Sequence, residues 1–177
     1  MKRTLLVAAL LTASASVASA GFYGGLSVGP DPAVQDDNAG LESKGRAARL
    51  LGGYRLGRLS AEASVSGVTL RDQTGSDTDH RQYALVGKYN FPLGSNFELF
   101  GRAGIQRTSL TFLDGSYTYS GNGILLGPGV EYRLNFVAAS ASLRLDYTIS
   151  YAHTERDTLE TVDFTSGQWM IGFTVGI

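Results

Sequence analysis

From Gly21 onward the sequence alternates apolar and polar residues with a period of two, in eight separate segments. That period is the strand signature, because successive side chains leave a pleated backbone on opposite faces. The first segment sets Phe22, Gly24, Leu26 and Val28 against Tyr23, Gly25 and Ser27. The second runs from Ala48 to Leu56 and sets Leu50 and Tyr54 against Arg49 and Arg55. The third, Leu59 to Gly67, opposes Ala61, Ala63 and Val65 to Glu62, Ser64 and Ser66. The fourth, Gln82 to Phe91, opposes Tyr83, Leu85 and Phe91 to Val86, Lys88 and Asn90. The fifth places Phe97, Leu99, Ala103 and Ile105 opposite Glu98, Phe100, Arg102 and Gln106. In the sixth, Ile124, Leu126, Val130, Tyr132 and Leu134 oppose Gly127, Gly129, Glu131 and Arg133. The seventh carries Leu143, Leu145, Tyr147, Ile149 and Tyr151 against Ser142, Arg144, Asp146 and Ser150. The eighth ends the chain with Trp169, Ile171, Phe173, Val175 and Ile177 against Gln168, Met170 and Thr174.

The connections alternate in length. Leu56 to Leu59, Pro92 to Asn96 and Asn135 to Val137 read as tight turns, whereas Pro30 to Arg46, Arg71 to Arg81, Thr108 to Gly121 and Ala152 to Ser166 are long and polar. Long loops are thus expected at one rim of a sheet and short turns at the other, the layout of barrels with long extracellular loops and short periplasmic turns. An even strand count puts both termini on the short-turn side.

Met1, Lys2 and Arg3 precede an apolar run from Leu5 to Leu11 and a small-residue stretch ending Ala18, Ser19, Ala20. A basic start, a short apolar middle and an A-x-A site form a secretory signal peptide. Residues 1–20 are predicted to be removed, leaving one domain over residues 21–177. Cysteine is absent, so neither a disulfide framework nor a thiolate metal site is available. No later stretch is long and apolar enough for a spanning helix. A membrane form must therefore be a closed sheet, because open backbone groups go unsatisfied in hydrocarbon.

Alternation alone does not say which face looks outward. A soluble barrel of the lipocalin kind turns its apolar face inward around a ligand, and a membrane barrel turns it to lipid. The polar face carries Arg49, Arg55, Lys88, Arg102, Arg133 and Arg144 with Glu62, Glu98, Glu131 and Asp146. In a membrane these must line the lumen, since an Arg or Lys on the lipid face at the midplane costs about 2–4 kcal/mol. On a soluble barrel they are ordinary surface groups. The aromatics favour lipid: Tyr54, Phe91, Phe97 and Tyr132 gather near the turns and Tyr83, Tyr151 and Trp169 near the loops, as interfacial girdles do. The expected fold is all-β, an eight-stranded antiparallel up-and-down transmembrane β-barrel.

Four stretches carry a family likeness: Gly21 to Gly29 (GFYGGLSVG), Phe97 to Ile105 (FELFGRAGI), Gly129 to Leu134 (GVEYRL) and Ala141 to Tyr147 (ASLRLDY). They resemble strands one, five, six and seven of the OmpA-like small outer-membrane barrels, a group that includes the OmpX and Ail type. The resemblance spans the mature chain through loose motifs. It implies a Gram-negative outer-membrane location, both termini in the periplasm, passage through periplasmic chaperones and the barrel insertion machinery, and contact with outer-membrane lipid or lipopolysaccharide. Barrels of this kind usually finish on Phe, whereas Ile177 stands here, so the efficiency of insertion is an expectation to test. The peptidoglycan-binding domain of full OmpA proteins has no counterpart, and a cell-wall tether is not expected.

Catalytic chemistry finds little support. Ser150, His153, Glu155 and Glu160 lie close in sequence, and nucleophilic catalysis needs a hydroxyl, a base and an orienting acid. The His-x-Ser pattern of lipid A deacylase barrels is absent, because Thr154 and Glu155 follow His153. With only His80 and His153 and no Cys, no metal site or cofactor is expected. The glycines 121, 123, 127 and 129 match no phosphate or dinucleotide loop and read as lumen packing. The long loops hold Asp31, Asp36, Asp37, Glu42, Asp72, Asp77, Asp79, Asp114, Glu155, Asp157, Glu160 and Asp163 against Lys44, Arg46, Arg71, Arg81 and Arg156. Such an acidic rim repels nucleic acid and sulfated glycans. It could share divalent cations with lipopolysaccharide through carboxylate oxygens, or simply be a solvated surface.

The sequence thus points to a non-enzymatic, monomeric surface barrel with a plugged lumen, serving envelope integrity or adhesion. A small pore or transporter and, behind it, a lipid-modifying enzyme are the alternatives.

Overall fold

At Gly57 the chain reverses in two residues. Its φ of 62° is the positive value that tight hairpin turns require at their first central position, and glycine adopts it without a Cβ clash. The next connection at this rim closes through Leu93 N–H donating to the Phe97 carbonyl at 2.8 Å.

The computed structural model describes residues 20–30, 33–35, 46–71, 77–112, 118–135, 140–155 and 161–176. The strands are β1 (Ala20–Pro30), β2 (Ala33–Gln35), β3 (Arg46–Leu56), β4 (Leu59–Arg71), β5 (Asp77–Pro92), β6 (Phe97–Phe112), β7 (Thr118–Asn135), β8 (Ser140–Glu155) and β9 (Thr161–Gly176). Each long strand pairs antiparallel with the next, and β1 pairs with β9, so the sheet closes into an eight-stranded barrel. The three-residue β2 adds to β9 beyond the end of β1.

Ala20 pairs with Leu56, and Gly176 pairs with Ser140 beside Asn135, so both described chain ends sit at the short-turn rim. The segment expected to be a signal peptide, up to Ser19, lies outside the described residues.

Three of the long polar stretches are largely strand. β4 runs to Arg71 and β5 starts at Asp77, β6 reaches Phe112 before β7 starts at Thr118, and β8 reaches Glu155 before β9 starts at Thr161. The reason is physical. Hydrophobic alternation stops where hydrocarbon stops, but backbone pairing does not depend on lipid and continues into water. Pro128 inside β7 is the opposite case: lacking an N–H, it leaves the ladder to β8 open at Gly127 and Pro128 while the ladder to β6 runs on through Gly101↔Pro128.

Candidate functional site

Sheet closure sends one face of every strand into the lumen and the other outward. Phe22, Leu26, Leu50, Leu85, Ile105, Leu126, Leu143, Ile171 and Phe173 are all exposed around the outer surface. So large an unbroken apolar surface has no place on a soluble monomer. It defines a lipid belt, and the lipocalin-like arrangement is excluded.

The belt has two aromatic borders. Near the short turns Tyr54 packs against Phe22 at 4.8 Å between ring centroids, Phe91 against Tyr89 at 4.6 Å, and Phe97 against Tyr132 at 4.8 Å, each pair with its rings tilted. Towards the other rim Tyr83, Tyr151 and Trp169 face outward, with Tyr147 at 4.8 Å from Trp169. Tyr132 is half-buried and the other six residues singled out from the sequence are exposed. Phe22, Tyr89 and Tyr147 complete the borders and were missed, because they fall beside residues already counted. On β5, Phe91 and Tyr83 mark both borders. At about 3.3 Å per residue and a tilt near 40° they stand roughly 20 Å apart along the membrane normal, close to the ~25 Å apolar band of such barrels.

Inside, the ten charged residues form two clusters rather than one network. In the central cluster Arg144 Nη1 donates to Glu62 Oε1 at 2.8 Å and Nη2 to Oε2 at 3.2 Å. Lys88 Nζ lies 2.7 Å from Glu131 and 3.2 Å from Glu62. Asp146 accepts from three guanidiniums: Arg49 at 2.9 Å, Arg102 at 2.6 Å and Arg144 at 3.0 Å. Nearer the short turns Glu98 takes two hydrogen bonds from Arg55, at 2.9 and 3.0 Å, and sits 3.0 Å from Arg133. Glu98 and Glu131 pair across β6 and β7 yet serve different clusters.

The lumen also uses residues that alternation could not single out. Phe100 is 1% exposed and lies flat under two cations, with Lys88 Nζ 4.8 Å and the Arg144 guanidinium carbon 4.6 Å from its centroid. Gly129 makes room for that ring, since a Cβ there would stand 2.2 Å from Phe100 Cζ. Tyr23 donates from its hydroxyl to Glu62 Oε1 at 2.8 Å. Below them Asn90 Nδ2 bonds the Arg58 carbonyl at 3.1 Å and the Ser60 hydroxyl at 3.3 Å, tying the lumen floor to the Gly57 turn. Thr148 accepts from Arg49 and Arg102, and Gln82 donates to Gln106 higher up. Register is the signal for these partners, and a single strand pattern does not contain register.

Ser150 faces the lumen and is buried. His153 and Glu155 lie on β8 in register with Asp163 and Thr161, His80 lies on β5 opposite Val68, and the side chains of both histidines and of Glu155 are outside the described set, as is Glu160. Among the described residues no group of three or more His, Cys, Asp or Glu is arranged to hold a metal ion.

A closed antiparallel barrel with a charged, packed interior and an apolar belt between aromatic borders is a transmembrane β-barrel. Residues 4–175 match the family described as "Outer membrane protein beta-barrel domain", and the chain belongs to that family. It is an outer-membrane protein of the Gram-negative type. Among solved structures it is similar to Neisserial surface protein A, with 21% identity and a TM-score of 0.64, over 87% of this chain and 96% of that one. It is similar to Ail, the attachment invasion locus protein of Yersinia pestis, solved with the heparin analogue sucrose octasulfate, at 18% identity and TM-score 0.54 over 89% and 97% of the two chains. The N-terminal barrel of Pseudomonas aeruginosa OprF gives 16% and 0.52 over 88% and 97%. At these identities the likeness speaks to the fold. None of the curated proteins matches the sequence at a significant level.

Proposed function

We propose that this barrel is a non-enzymatic, non-conducting surface protein that acts through its outer rim, in envelope integrity or adhesion, with both termini in the periplasm. The packed lumen carries the reading. Phe100 and the ion pairs around Glu62, Glu131 and Asp146 span the barrel, leaving on their outer side a cavity of about 30 Å³. An interior filled by side chains in this way is what eight strands allow, unlike the open channel of larger barrels. Planar-bilayer recordings of the purified protein should show no large, stable conductance; such a conductance would establish the pore reading instead.

The partner we assign to the outer rim is lipopolysaccharide. Arg46, Arg81 and Arg107 are exposed on the lipid-facing surface of β3, β5 and β6, and Arg107 pairs directly with Tyr83 of the upper aromatic border. Guanidiniums at that height suit the phosphates of an outer-leaflet lipid. Arg81→Ala with Arg107→Ala should weaken association with lipopolysaccharide-containing vesicles while leaving insertion into phospholipid vesicles unchanged. The heparin analogue bound by Ail suggests sulfated glycans as another partner for this fold. The acidic balance of the polar stretches in this chain, Asp36, Asp37, Asp72, Asp157 and Glu160 among them, disfavours it.

A further inference from the structure

We propose that the outer half of the lumen holds a small monatomic anion, chloride in practice, between Arg49 and Arg102. This goes beyond the surface role and does not depend on it. The central cluster sets four cations, Arg49, Lys88, Arg102 and Arg144, against three carboxylates, Glu62, Glu131 and Asp146. All seven side chains are 5% exposed or less, so water does not dilute the excess. A guanidinium keeps its proton, and a buried charge without a counter-charge is costly.

The excess has a location. Glu62 and Glu131 hold Lys88 and Arg144 on the inner side, leaving Arg49 and Arg102 to share Asp146, which Arg144 also contacts. Both arginines line the cavity on the outer side, together with Ser66, Thr148, Ser150 and Gln168. Arg102 spends its Nη2 on Asp146 and Thr148, while its Nε is enclosed by protein and does not open on the cavity. Surplus buried positive charge facing a cavity lined by hydroxyl groups is the chemistry that takes an anion.

The cavity volume of about 30 Å³ exceeds the ~10–15 Å³ that one water requires, so a small anion has room beside the two guanidiniums.

The test uses the intact protein. Crystals grown with bromide replacing chloride, measured at the bromine absorption edge, should show an anomalous peak in the cavity between the Arg49 and Arg102 side chains. A cavity without that peak, or bromide found at the surface alone, overturns the proposal. In solution, the melting temperature in detergent should fall by several degrees when gluconate replaces chloride at constant ionic strength, because a ligand held only by the folded state stabilises it. Equal melting temperatures would also overturn it. Arg102→Met, which leaves three cations facing three carboxylates, should lose both the peak and the chloride dependence. The bromide map of the wild-type protein decides the matter even if that variant does not fold.

Discussion

Arg144 on β8 and Glu62 on β4 meet across the width of the barrel through two hydrogen bonds, at 2.8 and 3.2 Å, with side chains 0% and 2% exposed. Removing one partner of such a pair costs about 3–5 kcal/mol. The surrounding charge makes the two halves unequal. Glu62→Gln leaves four central cations facing two carboxylates and belongs at the upper end, whereas Arg144→Met leaves three facing three and belongs at the lower. Urea unfolding in detergent, followed by the fluorescence of Trp169, the single tryptophan, should rank them in that order. The reverse order would show that local hydrogen bonding, and not charge balance, governs the lumen.

Gly129 and Phe100 supply a packing test. Alanine at 129 puts a Cβ 2.2 Å from Phe100 Cζ, so the ring must move off the cations it supports. Gly129→Ala should destabilise the barrel by about 1–3 kcal/mol, the usual cost of overpacking. Adding Phe100→Leu should recover part of the loss, and a strictly additive double variant would disprove the steric account.

On the outside, depth should set the cost of charge. Leu126 lies in the middle of the belt, opposite Ala103 and Ile149, while Leu59 adjoins the Gly57 turn. Leu126→Arg should cost about 2–4 kcal/mol in folding equilibria with lipid vesicles and Leu59→Arg about 0–1 kcal/mol. Similar penalties at both sites would place the membrane elsewhere on the barrel.

Orientation can be read directly, because the chain has no cysteine of its own. Ser95→Cys sits in the turn between β5 and β6, and Ser120→Cys is exposed on β7 towards the opposite rim. A membrane-impermeant maleimide added to intact cells should label position 120 and leave position 95 unlabelled until the outer membrane is breached. The opposite pattern would invert the assignment of the periplasmic side.

Much of the barrel is legible in the sequence, for a simple reason: lipid on one side and a narrow polar lumen on the other impose alternation residue by residue. Arg49, Glu62 and Asp146 stand on the inner face of that pattern, and Tyr83 and Trp169 on the outer. The pattern is silent on what depends on register, so the separation of Glu98 from Glu131, the triple coordination of Asp146 and the burial of Phe100 among cations emerge only when strands are paired. It is equally silent beyond the membrane, where β5 continues to Asp77 and β6 to Phe112 without an apolar stripe.

Those continuing strands bear on where the protein can reside. On the long-loop side its hydrogen-bonded wall rises past the oily band, so a thicker bilayer there meets backbone that is already paired. Mismatch then costs only a few side-chain transfers, a fraction of a kcal/mol per Å. The molecule can ride higher or lower, as a hull does with its load, and remain intact where lipid composition changes.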